Sequence, residues 1–557
     1  MKNLKHFTFW PAAIFLALTL IITLRDTNNF VETVGQLNNI VMRDFSWLYN
    51  LSAMTLVCLC AYAFFAPISK VQIGGKNSKP MLSPFKWFSV SLTTVIAMGI
   101  LFWAVAEPIL HYHQPPKFIG IEPQSPASMR FAMSTLFVHW TITPYSIYSL
   151  AALTFALCFH NLKMPFSIGS LLRPWLGKKC DGIGGEIIDG IALFAIIIGM
   201  SASLTTGILL ISDGLLQEYG ISKGPLTYGI IGGFIITIAV ISAASGLYKG
   251  IQIQARINTV LYFAGAIFIF LVGPTVFILS LGVESFGVYL SEFFQRNLVT
   301  GASGNDLWPG WWTVAFFSSW FAWAPLTCLF LGKIARGYTV RQFLIVNLIL
   351  PSLFGMFWFS VFGGSSLFFD INNDNMMMKA YDQQGLAALI YILFDQFPGA
   401  SILSAVFIFA CFITFITAAD STTDAIGGLC TKGVMSDDSK SPLWVKVFWG
   451  SAVGFIAWIS ASFIGVDAIK MLFNLAGFPG LLIILGSIGT FIKIVKMIKH
   501  EDGEVILEIK SDTALQKSAQ TQQRPVTTNE TEASKSKSTR PYAGQSGPLI
   551  STKPSPT

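Results

Sequence analysis

Apolar residues in this chain run in blocks long enough to cross a lipid bilayer, broken by short polar loops. A helix of roughly 20 apolar residues spans the hydrocarbon core. Twelve candidate blocks can be read: 9–24, 46–67, 87–107, 131–158, 185–211, 226–247, 257–282, 311–332, 342–368, 387–417, 443–463 and 468–494. Blocks 131–158 and 387–417 exceed a simple crossing, so they must tilt, kink or project. Val283–Leu298 is amphipathic and too polar to cross, which predicts a helix lying in the interface. From residue 511 or so onward the chain is polar and without apolar periodicity, which predicts a disordered tail. The expected class is an all-α membrane protein of about twelve transmembrane helices.

Lys and Arg orient the spans. Lys2, Lys5, Lys70, Lys76, Lys163, Lys178, Lys333, Arg336, Lys432, Lys493 and Lys499 fall on one side of the alternation. By the positive-inside rule both termini are cytoplasmic, in a multi-pass inner (plasma) membrane protein. Phe9–Leu24 is followed by Arg25-Asp26 with no small-residue cleavage site, so it reads as a retained first span.

Composition narrows the function. Of 557 residues, 53% are hydrophobic and 12% charged, against roughly 25% charged in soluble proteins. The net charge of +7 sits in loops, a topology signal rather than a nucleic-acid surface. The seven Cys show no metal-like spacing and read as packing residues, and no cofactor is implied. No HExxH, no Walker A loop and no GxSxG in an α/β pattern is present, so a transporter driven by gradients is favoured over an enzyme. His111-Tyr112-His113, the close histidine pair, reads as surface residues, with no metal site expected.

Two blocks carry a proline beside clustered aromatics. The fourth reads His139-Trp140-Thr141-Ile142-Thr143-Pro144-Tyr145-Ser146-Ile147-Tyr148, where Pro144 removes a backbone donor. The eighth places Trp320 and Trp323 just before Pro325. Broken helices with aromatics at the break suit a site near the bilayer midplane. A quaternary ammonium group has no N–H to donate, so ring faces hold it where hydrogen bonds cannot. Spacing alone also fits packing or interfacial aromatics. Glu107, Arg256, Asp420 and Asp424, charges at span ends, are candidates for coupling or for ordinary solvated pairs.

Together these segments resemble the betaine/carnitine/choline transporter family. The strongest stretch is Trp311–Phe343, WWTVAFFSSWFAWAPLTCLFLGKIARGYTVRQF. Ala106-Glu107-Pro108, His139–Tyr148, Gly246–Ile251 and Thr417–Ser421 follow in the family's order, over residues 10 to 495 or so. The resemblance implies LeuT-like inverted five-helix repeats with two extra N-terminal helices, and a homotrimer. The expected division is 1–86 with the extra helices, 87–282 the first repeat, 283–308 the interfacial segment, 309–498 the second repeat and 499–557 the tail. Carried over position by position, the resemblance implies a substrate cage of Trp140, Tyr145, Tyr148 and Trp320, with Trp323 nearby.

Departures from the family pattern matter as much. Tyr145 stands where the family has Trp, and Ser319 replaces one Trp of an adjacent pair. The third span's Gly-x-Gly-x-Gly becomes Val95, Ala97 and Gly99, leaving one glycine to contact substrate through its backbone. Positions matching sodium ligands hold Ile196 and Met200 on the fifth span, and Thr414, Thr417 and Ala418 on the tenth. Aliphatic side chains offer sodium no oxygen, so sodium-independent transport is expected, by proton coupling or exchange. Arg256 stands two residues before Asn258, the position matching a buried arginine in carnitine exchangers. The reading is a secondary transporter of a small methylated-ammonium solute such as betaine, choline or carnitine. Its rivals are a carrier of another amine, amino acid or sulfonium solute, and a solute sensor that does not transport.

Overall fold

The computed structural model describes residues 3–245, 248–432, 441–501 and 504–507. The expected disordered tail from residue 511 lies outside them, as do Gly246-Leu247.

In chain order the helices are α1 His6–Arg25, α2 Thr27–Asp44, α3 Ser46–Phe65, α4 Pro84–His113, α5 Pro126–Trp140, α6 Ile142–Ala156, α7 Ile168–Leu176, α8 Ile183–Tyr219, α9 Pro225–Ser245 and α10 Tyr248–Val272. The second half follows with α11 Thr275–Ser291, α12 Phe293–Leu298, α13 Ala315–Lys333, α14 Val340–Leu344, α15 Leu350–Asn372, α16 Met376–Gln384, α17 Leu389–Phe394, α18 Ala400–Cys430, α19 Leu443–Phe463 and α20 Val466–Val495. Eleven helical segments among the described residues are long and apolar enough to cross a membrane, and the bent α4 makes twelve.

Burial sorts these spans into a centre and a rim. Pro126–Asn161 and Gly310–Lys333 are each 89% buried, whereas His6–Thr23 is 28% buried. The first pair therefore forms the core that carries the site. Ile14, Phe15, Leu18, Ile21 and Ile22 on α1, and Ile253, Val260 and Leu271 on α10, are exposed. α13 packs between α6 and α20. Gly477 and Gly480 of α20 permit this approach, because a Cβ at Gly480 would lie 2.1 Å from the carbonyl oxygen of Phe321. That carbonyl sits four residues before Pro325, which has no N–H to give it.

Several expected boundaries shift, each for a local reason. The block 387–417 is two elements: α17 ends at Phe394, and Gly399 in a left-handed conformation (φ 77°) starts α18. Asp420 and Asp424 thus lie inside a helix, not after it. The block 257–282 overran Gly273-Pro274, where α10 stops and α11 begins. The expected interfacial helix 283–298 is accordingly the later part of α11 plus α12. α2, with Asp26 capping the N–H of Asn29, was not foreseen. The expected polar tail from residue 499 instead begins in a two-stranded antiparallel pair, β1 Ile498–Glu501 with β2 Glu504–Leu507.

Candidate substrate site

The site forms where the interrupted fourth span meets α13, which runs unbroken through Pro325, so the second break expected from the sequence does not occur. The break in the fourth span falls at Thr141, with α5 ending at Trp140 and α6 starting at Ile142. Pro144 explains the place, since its missing N–H would have served the carbonyl of Trp140 four residues back. Freed from regular helix, the carbonyl of His139 accepts the indole N–H of Trp320 at 3.0 Å. This bond ties the broken span directly to α13. A wide π turn, Gly310–Val314, precedes α13 and brings Thr313 against His139.

Rings converge on this junction. Trp320 packs against Tyr148 with centroids 4.7 Å apart, Tyr145 at 5.2 Å and Trp140 at 5.8 Å. Trp140 also meets Phe316 at 5.1 Å and Phe359 at 5.5 Å. A cavity of about 720 Å³, its open mouth included, is lined by Trp140, Tyr148, Trp320, Trp323, Ser319 and Gly99 together with Trp103, Phe316 and Lys470. The arrangement offers ring faces and few hydroxyls, the surface a desolvated, non-donating cation requires. Trp323 is fixed by its indole N–H donating to Ser203 at 3.1 Å.

Tyr145 differs from the other expected cage residues. It is fully buried behind Trp320 and does not line the cavity, and its hydroxyl meets no partner among the described residues. Its ring supports Trp320. Ala97 belongs to a short stretch whose side chains lie outside the described residues, while Gly99 is packed by the ring of Trp140. Here α4 changes direction by 56° between Pro84–Val95 and Gly99–His113. Ser319 donates to the carbonyl of Phe316 at 2.7 Å and leaves room where a Trp would stand.

Glu107, a candidate for coupling or for an ordinary solvated or paired charge, is paired and not solvated. It is fully buried, with Oε1 at 2.5 Å from His139 Nδ1 and 3.2 Å from His111 Nε2. Oε2 accepts the Trp140 indole N–H at 2.8 Å. Three N–H groups therefore point at one carboxylate, and Thr313 Oγ1 reaches the other His139 nitrogen at 3.0 Å. The histidine pair read as surface residues is also corrected. His111 is buried in this cluster, and His113 Nε2 lies 2.7 Å from Asp370. Ligand atoms of Glu107, His111 and His139 lie within 4.8 Å of one another, a spacing some metal sites share, but here they are engaged with each other and with Trp140 and Thr313. Sequence reading missed the cluster because its members sit on two separate helices.

The other coupling candidates lie apart from one another. Asp420 is buried and accepts the Ser242 hydroxyl at 2.5 Å. Asp424 is half exposed and pairs with Lys446 at 3.0 Å. Arg256 is exposed on α10, whereas Asn258 is buried and donates to Thr414 Oγ1 at 3.0 Å. Arg256 thus stands on another face of the helix and does not join the site. Thr417 Oγ1 donates to the carbonyl of Ile413 at 2.8 Å and lies 3.3 Å from Gln254. On α8, Ile196 and Met200 are buried and bring no oxygen, and Met200 Sδ accepts the Thr422 hydroxyl at 3.5 Å.

The family description of betaine/carnitine/choline transporters matches residues 7–502. The chain belongs to this family. It is 31% identical over 460 residues to a probable glycine betaine transporter of Desulfitobacterium hafniense, covering 82% of this chain and 90% of that one. An ectoine/hydroxyectoine transporter of Virgibacillus pantothenticus is 27% identical, covering 89% and 97%. An osmo-dependent choline transporter of Acinetobacter baylyi is 28% identical, covering 86% and 69%. Family members are transporters, and the eleven to twelve apolar spans agree with a multi-pass membrane carrier.

Proposed function

We propose that this chain is a secondary transporter of a quaternary-ammonium solute such as betaine, choline or carnitine, working by alternating access and without sodium. Trp140, Tyr148 and Trp320 hold the cationic head, Trp323 lines the path beside it, and Tyr145 backs Trp320. The observation that carries this reading is the cavity walled by Trp140, Tyr148, Trp320 and Trp323 where the broken fourth span meets α13. Each desolvated ring–cation contact is worth about 2 kcal/mol. A few such contacts are enough to bind without a carboxylate in the cage.

Sodium independence is supported by what surrounds the matching positions. Ile196 and Met200 are aliphatic or thioether, Thr414 is taken by Asn258, and Thr417 is spent on backbone. Coupling then falls to a proton or to solute exchange. Glu107 is the candidate beside the cage, joined to it through Trp140. The carrier is further proposed to be a homotrimer in the inner membrane with both termini cytoplasmic, as the family resemblance and the lysine distribution suggest.

Uptake of radiolabelled glycine betaine into proteoliposomes tests the reading. Equal uptake in sodium and potassium buffers is expected. Strong stimulation by sodium would overturn the coupling claim, and absence of counterflow with betaine, choline and carnitine alike would overturn the cargo claim. The relative named for ectoine keeps a second reading in view, a different compact solute on this scaffold; counterflow by such a solute with none by methylated ammonium compounds would establish it.

A further inference from the structure

Resting on the cage reading, we infer that this carrier takes solutes whose trimethylammonium head bears an apolar chain of about six carbons ending in a hydroxyl. Such a solute is longer than betaine, choline or carnitine. The cavity does not end at Trp140, Tyr148 and Trp320. It continues along α13 past Ser319 and Ala315, one helical turn apart on the same face. Trp311, Ala315 and Lys470 also line the larger vestibule beside α2, so the two spaces adjoin at these residues. In a span that is 89% buried, Ser319 and Ala315 keep partial exposure, and they owe it to this passage.

The walls of the passage favour methylenes over polar groups. Ser319 and Ala315 carry little bulk, so space remains on the α13 side between the rings of Trp320 and Trp311. Val95 and Trp103 of α4 and Ile469 and Phe473 of α20 complete an apolar lining. The hydroxyls along it are already engaged. Ser319 donates to the carbonyl of Phe316 at 2.7 Å, Thr206 to that of Ala202 at 3.1 Å, and Ser203 accepts the Trp323 indole N–H at 3.1 Å. A polar group lodged here would give up water for little, whereas a buried methylene gains about fourfold in affinity.

Length and the far end complete the description of the solute. From Trp320 to Ala315 is five residues, about 7.5 Å of helix rise. An extended chain covers roughly 1.2 Å per bond, so about six bonds reach from the cage level to the vestibule. There the lining turns to the amides of Asn38, Asn39, Asn305 and Asn474, which can both donate to a hydroxyl and accept from it. The vestibule's formal charges balance, Glu32 and Asp306 against Arg43 and Lys470, so no net charge selects a carboxylate or a second ammonium at this end. A short solute occupies the cage and leaves the passage to water; a six-carbon chain displaces that water.

The test is displacement of radiolabelled glycine betaine from the purified carrier by ω-hydroxyalkyl trimethylammonium ions of two, four and six carbons, the first being choline. Wild type is expected to bind the six-carbon ion about tenfold or more tighter than choline, with the four-carbon ion between them, since four added methylenes outweigh the cost of ordering the chain. Ser319→Trp fills the passage and should bring that ratio down to about threefold or less, and Ala315→Leu should lower it in the same direction. Equal affinity for the two- and six-carbon ions in wild type overturns the inference whether or not the variants fold. So does a wild-type ratio kept by both variants. Absence of specific binding by glycine betaine and by radiolabelled choline would instead reject the cargo reading on which the inference stands.

Discussion

Gly99→Ala is a small substitution with a consequence that can be worked from geometry. A Cβ on Gly99 would lie 2.1 Å from Cη2 and 2.2 Å from Cζ3 of Trp140. Carbon atoms rest at about 3.5 Å, so the ring must retreat by roughly 1.4 Å or α4 must give way. The ring has little freedom to do so. Its indole N–H is pinned by Glu107 at 2.8 Å, and its faces meet Phe316, Trp320 and Phe359. Overpacking of this kind costs about 1–3 kcal/mol, or about 5- to 150-fold if the whole cost falls on the substrate-binding state. Betaine uptake kinetics and thermal unfolding of purified protein are the assays. The expected result is a KM raised by about tenfold or more, with a matched Gly233→Ala change in open space leaving both readings at wild type. Trp140→Phe, which shortens the ring, should restore the unfolding temperature of the Gly99→Ala protein while leaving substrate affinity poor. A Gly99→Ala variant with wild-type KM and stability would refute the claim that Trp140 is held in place as the cage wall.

Two further changes separate support from contact. Tyr145→Phe removes a buried hydroxyl that has no partner among the described residues, so stability should hold or rise by about 1 kcal/mol, and betaine affinity should stay within about twofold; thermal unfolding and competition binding check it. Asp189→Ala should lower stability by about 3–5 kcal/mol, because the buried carboxylate holds Lys5 at 2.8 Å, Ser167 at 2.8 Å and the N–H of Gly169 at 3.0 Å, and its loss strands all three; thermal unfolding reads this, with betaine counterflow per folded molecule unchanged.

The span pattern was legible in the sequence because apolar length is a local property that a bilayer reads directly. A local signal also placed the broken fourth span, since Pro144 announces a missing donor, whereas α13 runs on through Pro325 despite the same signal. The break itself fell three residues before Pro144, at Thr141, because the orphaned carbonyl belongs to the preceding turn. Proline and glycine at 273–274 and Gly399 were equally visible, but hydropathy ran straight through them and blurred the ends of two spans. What the sequence hid was convergence. Glu107 and His139 are 32 positions apart, Trp103 and Lys470 far more, and no periodicity links them. One signal for Lys470 was available: a lysine standing in the apolar run that opens the last span. At Tyr145 the motif position implies contact with a solute, whereas the structure shows the ring packed against Trp320 and not lining the cavity.

The central claim is that ring faces bind a positive head in the cavity between α5, α6 and α13. Comparing glycine betaine with its carbon isostere tert-butylacetate tests this most directly. The two share shape and carboxylate, and only the head's charge differs. Binding measured by tryptophan fluorescence on the purified carrier should favour betaine by about thirtyfold or more, the size of one desolvated cation–π contact. Equal affinity for the two, or a preference that survives Trp320→Leu, would contradict the account.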